Sequence, residues 1–218
     1  VRQLQTANTT SLGLPPANFD SPVEVWPNTY SPIITNESEQ LFLREASFGL
    51  VPHWAHSLSY SKSNASMNAL SETVAALPSF RSAWRQQQFA LVPVEAIFEP
   101  YYETGTAVRQ RIERTDHAPF TIAGIWDIWE DDVIGSHVRT FTMLTVNSAT
   151  HPLMSRMHKP DDEKRSIVVI PQTDWHAWLH ATERDARELL NLFPADDYMA
   201  TPDPLPPRAK KASTISRR

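Results

Sequence analysis

Cysteine is absent from the 218-residue chain, which rules out an internal disulfide framework, a thiolate zinc site and an iron–sulfur cluster. Glycine is scarce: Gly13, Gly49, Gly105, Gly124 and Gly135 are all there are. That leaves no G-x-S-x-G nucleophile elbow and no glycine loop to cradle phosphate. No apolar run approaches the roughly 20 residues that a bilayer-spanning helix requires, and no segment reads as a secretory signal. Positive charge is not in excess either. The formal net charge of -5 argues against a protein that coats nucleic acid indiscriminately through many Lys and Arg contacts. Together these absences point to an intracellular protein. Val1 stands where an initiator Met is usual, so further residues are expected upstream.

Hydrophobic residues make up 41% of the chain, enough for a real core in one domain of this length. Residues 1–200 read as that single domain. Residues 201–218 read as a flexible tail, because Pro202, Pro204, Pro206 and Pro207 come with almost nothing to bury. The tail is basic: Arg208, Lys210, Lys211, Arg217 and Arg218 against Asp203 give it +4 and leave -9 on the rest.

Eighteen prolines, spread throughout, favour short strands and irregular connections over long helices. Strands are expected at 41–43, 47–51, 89–94 continuing through 97–102, 120–129, 138–146 and 166–170, which are β-branched and aromatic runs bounded by Pro, Gly or charge. The first forty residues read as extended chain packed on a core, with apolar residues at 23–26 and at Ile33 and Ile34. Helical spacing appears at Phe80, Ala83 and Trp84, and at Trp175, Trp178 and Leu179. It is clearest over 182–193, where Thr182 can cap and Ala186, Leu189, Leu190 and Phe193 form one stripe.

His176 and His180 have metal-ligand spacing, but no Glu lies between them, and a solvated helix face is the better reading. His53 and His56 flank Trp54 in a loop and read as surface residues. No metal and no cofactor are expected. Three polar residues stand against apolar neighbours: Asn68, Glu99 and His158. Glu99 sits among Ile97, Phe98, Tyr101 and Tyr102. Desolvation there would raise its pKa toward the range of general acid–base work. The residues alone lean the other way, to a Glu alternating outward from a strand.

Several ordered segments carry a family resemblance. Phe48-Gly49-Leu50-Val51-Pro52-His53-Trp54-Ala55, Asn68-Ala69-Leu70-Ser71-Glu72-Thr73, Pro78-Ser79-Phe80-Arg81, Ala96-Ile97-Phe98-Glu99, and Leu144-Thr145-Val146-Asn147 running to Ser155-Arg156-Met157-His158 resemble the motifs of the SRAP family (SOS response-associated peptidase) over roughly 23–175. The resemblance implies an α+β fold, a sheet-rich, barrel-like core with flanking helices. It implies an abasic-site sensor of single-stranded DNA, monomeric, cytoplasmic and nucleoid-associated if bacterial. In the family an N-terminal Cys forms an imine with the ring-opened sugar through its α-amine and closes it to a thiazolidine through its thiol. By motif, Asn68 would orient the N-terminal residue and the sugar, Glu99 would shuttle protons, and His158 would assist proton transfer and crosslink reversal.

Physically the roles cohere, since an α-amine with a pKa near 8 is partly neutral at physiological pH and loss of water from a carbinolamine needs an acid. Family members begin Met-Cys-Gly-Arg, and Val1-Arg2 can be laid on the Gly-Arg pair, so Met-Cys is expected just before Val1. Leu70 stands where the family commonly has a phosphate-touching Arg, and Pro100 where an aromatic is usual. Residues 159–165, after His158, are longer and more acidic than the family pattern implies. Arg2, Arg81, Arg85, Lys159 and Arg165 are expected to compensate for the missing Arg, and Thr145 is grouped with these DNA contacts. Phe48, Trp54 and Phe98 are either stacking faces for bases or core aromatics. The competing reading is a non-catalytic SRAP-like module that binds single-stranded DNA. A protease acting on other proteins ranks last, because no independent nucleophile is visible.

Overall fold

Alternating residues along each strand sort onto two faces, and that sorting sets the architecture of the computed structural model, which describes residue 14 and residues 22–63, 66–131 and 135–205. Ten strands run in chain order: β1 (Tyr30–Glu37), β2 (Gln40–Phe48), β3 (Asn68–Leu70), β4 (Phe89–Val94), β5 (Ile97–Tyr101), β6 (Val108–Arg114), β7 (Phe120–Asp131), β8 (Ser136–Asn147), β9 (Arg165–Ile167) and β10 (Tyr198–Pro202). The helices are short: α1 (Tyr60–Ser63), α2 (Arg81–Arg85), α3 (Trp175–Leu179) and α4 (Glu183–Glu188).

Five strands close a barrel in the order β2-β1-β4-β7-β8, with β8 returning to β2 through a short parallel pairing, Ser47↔Thr140 and Phe48↔Phe141. Beyond that closure β8 runs on, carrying β3 on one edge and β9 on the other. A second antiparallel sheet, β10-β6-β5, lies apart from the barrel strands. This is the expected α+β, sheet-rich, barrel-like core with flanking helices.

On one strand face, Ile34, Leu91, Ile125, Leu144 and Val168 bury against Trp84, Trp175 and Trp178. Those tryptophans hang from α2 and α3, which is why the helical spacing at these positions is a packing signal. The opposite face carries Ile33, Phe48, Val92, Ile122, Phe141 and Met143, packed with Ile97, Ile112 and Tyr198 of the second sheet. Gly49 makes the exit from β2 possible. Its φ of 115° lies in a region side chains rarely adopt, and a Cβ there would meet Ser61 Cβ at 3.1 Å.

Several elements differ from the sequence expectation. The segments at 41–43 and 47–51 are one strand, β2, ending at Phe48. β6 was hidden by charge: of Val108–Arg114, only Gln110 and Ile112 are buried. β1 contains Pro32, tolerated because β4 pairs with β1 only at Ile34 and Thr35, so the missing N–H costs no bond there. The helix expected over 182–193 has the Thr182 cap, whose Oγ1 accepts from the Asp185 N–H, but it ends at Glu188. Phe193 instead crosses to the other cluster, 4.3 Å from Tyr198. Finally, the domain boundary drawn at residue 200 falls inside β10. Thr201 and Pro202 pair with Arg111 and Gln110, and Asp203 bonds Arg109. Residues 206–218, with most of the expected basic tail, lie outside the described residues, as do Val1 and Arg2. No described helix is long and apolar enough to cross a membrane.

Candidate active site

Where the second sheet meets the far end of β8, a pocket of about 320 Å³ opens. The pleat decides who lines it. Met143 and Thr145 alternate along β8, Asn68 opposes Met143 across the parallel β3 pairing, and Ile167 opposes Thr145 from β9. Phe48 closes the floor from β2, and β5 brings Ile97, Phe98 and Glu99. His158 enters from the loop before β9, so Asn68, Glu99 and His158 line one cavity.

Glu99 lies in the middle of β5, opposite Gln110. The outward-facing reading of this strand position is therefore replaced by a pocket-lining one. Its side chain keeps only 23% of its exposure, and this desolvation pushes the carboxyl up to about 7. His158 Nε2 lies 3.6 Å from Glu99 Oε2 and 3.3 Å from the Arg165 carbonyl. Burial, more than any neighbouring charge, moves the imidazole below its ordinary value; Lys164 pushes the same way, while the Arg165 carbonyl and Asp162 oppose. With the carboxyl raised to about 7, about half of Glu99 is protonated near pH 7, while the lowered pKa favours a neutral His158 imidazole. In the protonated fraction of Glu99 the pair sets a proton donor beside a proton acceptor.

The backbone holds His158 in place. Its φ is 63°, its N–H donates to the Pro100 carbonyl at 2.7 Å, and Met157 bridges to Tyr101. The loop is therefore attached directly to the strand that carries Glu99. His151 braces the turn before it, accepting at Nδ1 from the Met154 N–H at 3.0 Å while Nε2 meets the Phe193 carbonyl at 2.9 Å.

Two arginines line the pocket, and both are committed to carboxylates. Arg165 grips Glu72 with two nitrogens at 2.8 and 2.9 Å, meets Glu163 at 3.0 Å and donates to the Thr145 carbonyl at 2.7 Å. These bonds draw Glu72 down to about 2. Arg109 lies 3.5 Å over the Phe98 ring and pairs with Glu24 at 2.9 Å and Asp203 at 3.3 Å. Sequence reasoning missed Arg109, because the β5–β6 pairing that sets it opposite Pro100 was hidden along with β6.

The expected DNA-contacting residues divide. Phe48, Thr145 and Arg165 line the pocket. Phe48 is a core aromatic as well, stacked on Phe141 with ring centroids 5.2 Å apart. Trp54, Arg81, Arg85 and Lys159 do not line it. Trp54 is exposed and packs edge-on against Tyr60. Arg81 and Arg85 ride the exposed side of α2, whose Ala83 and Trp84 bury in the helix-facing cluster. Lys159 is exposed beside His158. Arg2 lies outside the described residues. Elsewhere, His176 and His180 stack on each other at 3.9 Å. His53 Nδ1 lies 3.1 Å from the buried Asp127 carboxylate. Among the described residues no group of three or more His, Asp or Glu could hold a metal ion.

A closed barrel with a side pocket that sets a raised carboxyl beside a lowered imidazole is a candidate site for acid–base chemistry. The profile of the SOS response associated peptidase family (SRAP) matches residues 3–202. The chain belongs to the SRAP family. The match reaches well beyond the stretch that carried the motif resemblance. The chain is 25% identical over 193 residues to the abasic site processing protein YoqW of Bacillus subtilis (strain 168), covering 86% of this chain and 80% of that protein. The protein of the same name from Bacillus phage SPbeta gives the same figures. Among solved structures, a protein from Bordetella bronchiseptica superposes with a TM-score of 0.85 at 29% identity, covering 94% of this chain and 98% of that one. A protein from Bacteroides thetaiotaomicron gives 0.68 at 26% identity, covering 79% and 73%.

Proposed function

We propose that this protein processes abasic sites in single-stranded DNA by forming a covalent bond to the ring-opened sugar, with Asn68, Glu99 and His158 around the reacting carbon. The observation that supports this most is the Glu99–His158 pair at 3.6 Å, in a pocket of about 320 Å³ that also receives Asn68. The names of the relatives point to the same lesion. Imine formation needs such a pair. A neutral amine adds to the sugar aldehyde, a proton moves from nitrogen to oxygen, and the hydroxyl leaves as water once protonated. A carboxyl titrating near 7 can give that proton, and a neutral imidazole can take the one released from nitrogen.

The nucleophile in this reading is the α-amine of a Cys that precedes Val1, by the match of Val1-Arg2 to the family's Gly-Arg pair. Its thiol adds to the imine carbon, the thiol proton passes to nitrogen, and a five-membered ring closes. Binding of the lesion strand relies little on pocket cations, because Arg109 and Arg165 already hold carboxylates and Leu70 carries no charge.

The test is intact-mass measurement of the native, full-length protein incubated with an abasic single-stranded oligonucleotide. The expected product is protein plus oligonucleotide less one water, stable to denaturation. Binding without any adduct, even after borohydride, would leave the non-covalent DNA-binding reading in its place. Cleavage of a peptide with no DNA present would favour a protease.

A further inference from the structure

Lys164 occupies an unusual position for a residue in an acidic surface loop. Its ammonium donates to three consecutive carbonyls, those of Met157 at 2.9 Å, His158 at 3.4 Å and Lys159 at 2.6 Å. An ammonium has three protons, so its donor capacity is fully engaged by one turn of backbone. That turn is the one in which His158 adopts a left-handed φ of 63°, a conformation side chains other than Gly take up rarely. Three carbonyl dipoles aimed at a common point repel one another unless a cation sits there.

Lys164 is itself anchored. Its carbonyl accepts from the Ser148 N–H at 2.8 Å, just past the end of β8. On the other side of the turn, the His158 N–H is held by Pro100 of β5 at 2.7 Å. The turn is thus clamped between the strand that carries Glu99 and the segment leading into β9.

We propose that Lys164 is a positioning residue that fixes the His158 turn from behind and so sets the imidazole against Glu99. It touches no substrate in this arrangement and acts only through His158. The proposal rests on the acid–base reading of the pocket. The charged and titratable groups facing the imidazole are Glu99 from β5 and Asp162 and Lys164 from the loop, with the Arg165 backbone carbonyl at the start of β9. Of the charged groups around the imidazole, Lys164 opposes its protonation, so loss of the ammonium should be visible in the ring itself.

Lys164→Met and Lys164→Arg test this in the full-length protein. The first readout is the His158 ring titration by NMR, which needs no activity and so separates failure of this proposal from failure of the proposed reaction. In Lys164→Met the midpoint should rise and the ring contacts to β5 should weaken, and Lys164→Arg should restore most of both. The second readout is the pH profile of adduct formation and reversal with abasic single-stranded DNA. The His158-dependent limb should slow by about tenfold in Lys164→Met, a fraction of the 10²–10⁴ that a well-placed acid or base contributes. Should Lys164→Met fail to fold, Lys164→Gln, which donates without charge, takes its place. A His158 titration and ring contacts unchanged in the folded variant would overturn the proposal, leaving Lys164 a surface brace. A slowed reaction with an unchanged ring would overturn it equally.

Discussion

Glu99 and His158 meet at 3.6 Å because two backbone connections, His158 N–H to Pro100 and Met157 to Tyr101, sew the histidine loop to the strand that carries the carboxyl. The same closeness that removes water from the carboxyl makes the carboxyl costly to ionise. Four expected outcomes follow from this arrangement and its surroundings.

Stability should fall as the pH rises through the window of Glu99. The folded protein holds this proton up to about 7, whereas the unfolded chain releases it near 4.5. Between those values the native state binds more protons, so unfolding free energy declines with pH by up to about 3 kcal/mol. Glu99→Gln should match the parent near pH 4.5 and exceed it near pH 8. Urea unfolding at both pH values checks this, and parallel pH dependences in parent and variant would show that the carboxyl is not desolvated.

Adduct formation should depend on both members of the pair, in different ways. Glu99→Gln removes the acid that expels water and should slow formation by about a hundredfold, the low end of general acid–base contributions. His158→Ala should alter the balance of formation and reversal while the fold persists, since little packing is lost. Time courses on denaturing gels distinguish the two effects. Normal kinetics in both variants would remove the pair from the chemistry.

Arg109 should matter more for stability than for charge. Replacing it with Ala strips the guanidinium from Phe98 and leaves Glu24 and Asp203 without their partner. The expected cost is about 2 kcal/mol, below the 3–5 typical of a fully buried pair because both carboxylates keep some water. Arg109→Lys should recover part of it, as the charge remains and the planar stack does not. A thermal-unfolding midpoint unchanged in Arg109→Ala would show that the Glu24–Arg109–Asp203 link contributes nothing.

Salt dependence of DNA binding should single out Lys159 rather than α2. Lys159 is exposed next to His158, while Arg81 and Arg85 project from a helix that does not line the pocket. Lys159→Ala should flatten the plot of log affinity against log salt by about 0.7, one phosphate contact on a single strand. Arg81→Ala and Arg85→Ala should leave the slope unchanged. The reverse pattern would move the DNA path onto α2.

Much of the fold was legible before any tertiary contact was considered. The strands β4, β5, β7 and β8 are β-branched and aromatic runs between clear breakers, and Thr182 announces the start of α4. β6 was not legible, because four of its seven residues are charged and it presents no apolar period. β3 is three residues long, too short to carry a pattern. The ordered motifs brought out Asn68, Glu99 and His158 together, which local periodicity alone could not have done.

Which face each residue serves was decided only in three dimensions. A period of two states that Glu99 and Phe98 point apart; it does not state that both border one pocket, as they do in the folded chain. Arg165 and Arg81 look alike in sequence. Arg165 lines the pocket, gripped by Glu72 and Glu163, and Arg81 stands on an exposed helix, because ion pairing depends on residues that only the folded chain brings within reach. Sequence thus determined the residue types, the strand runs and the family. The packing of β5 against the His158 loop decided the desolvation of Glu99, and desolvation is a property of surroundings that no residue carries by itself.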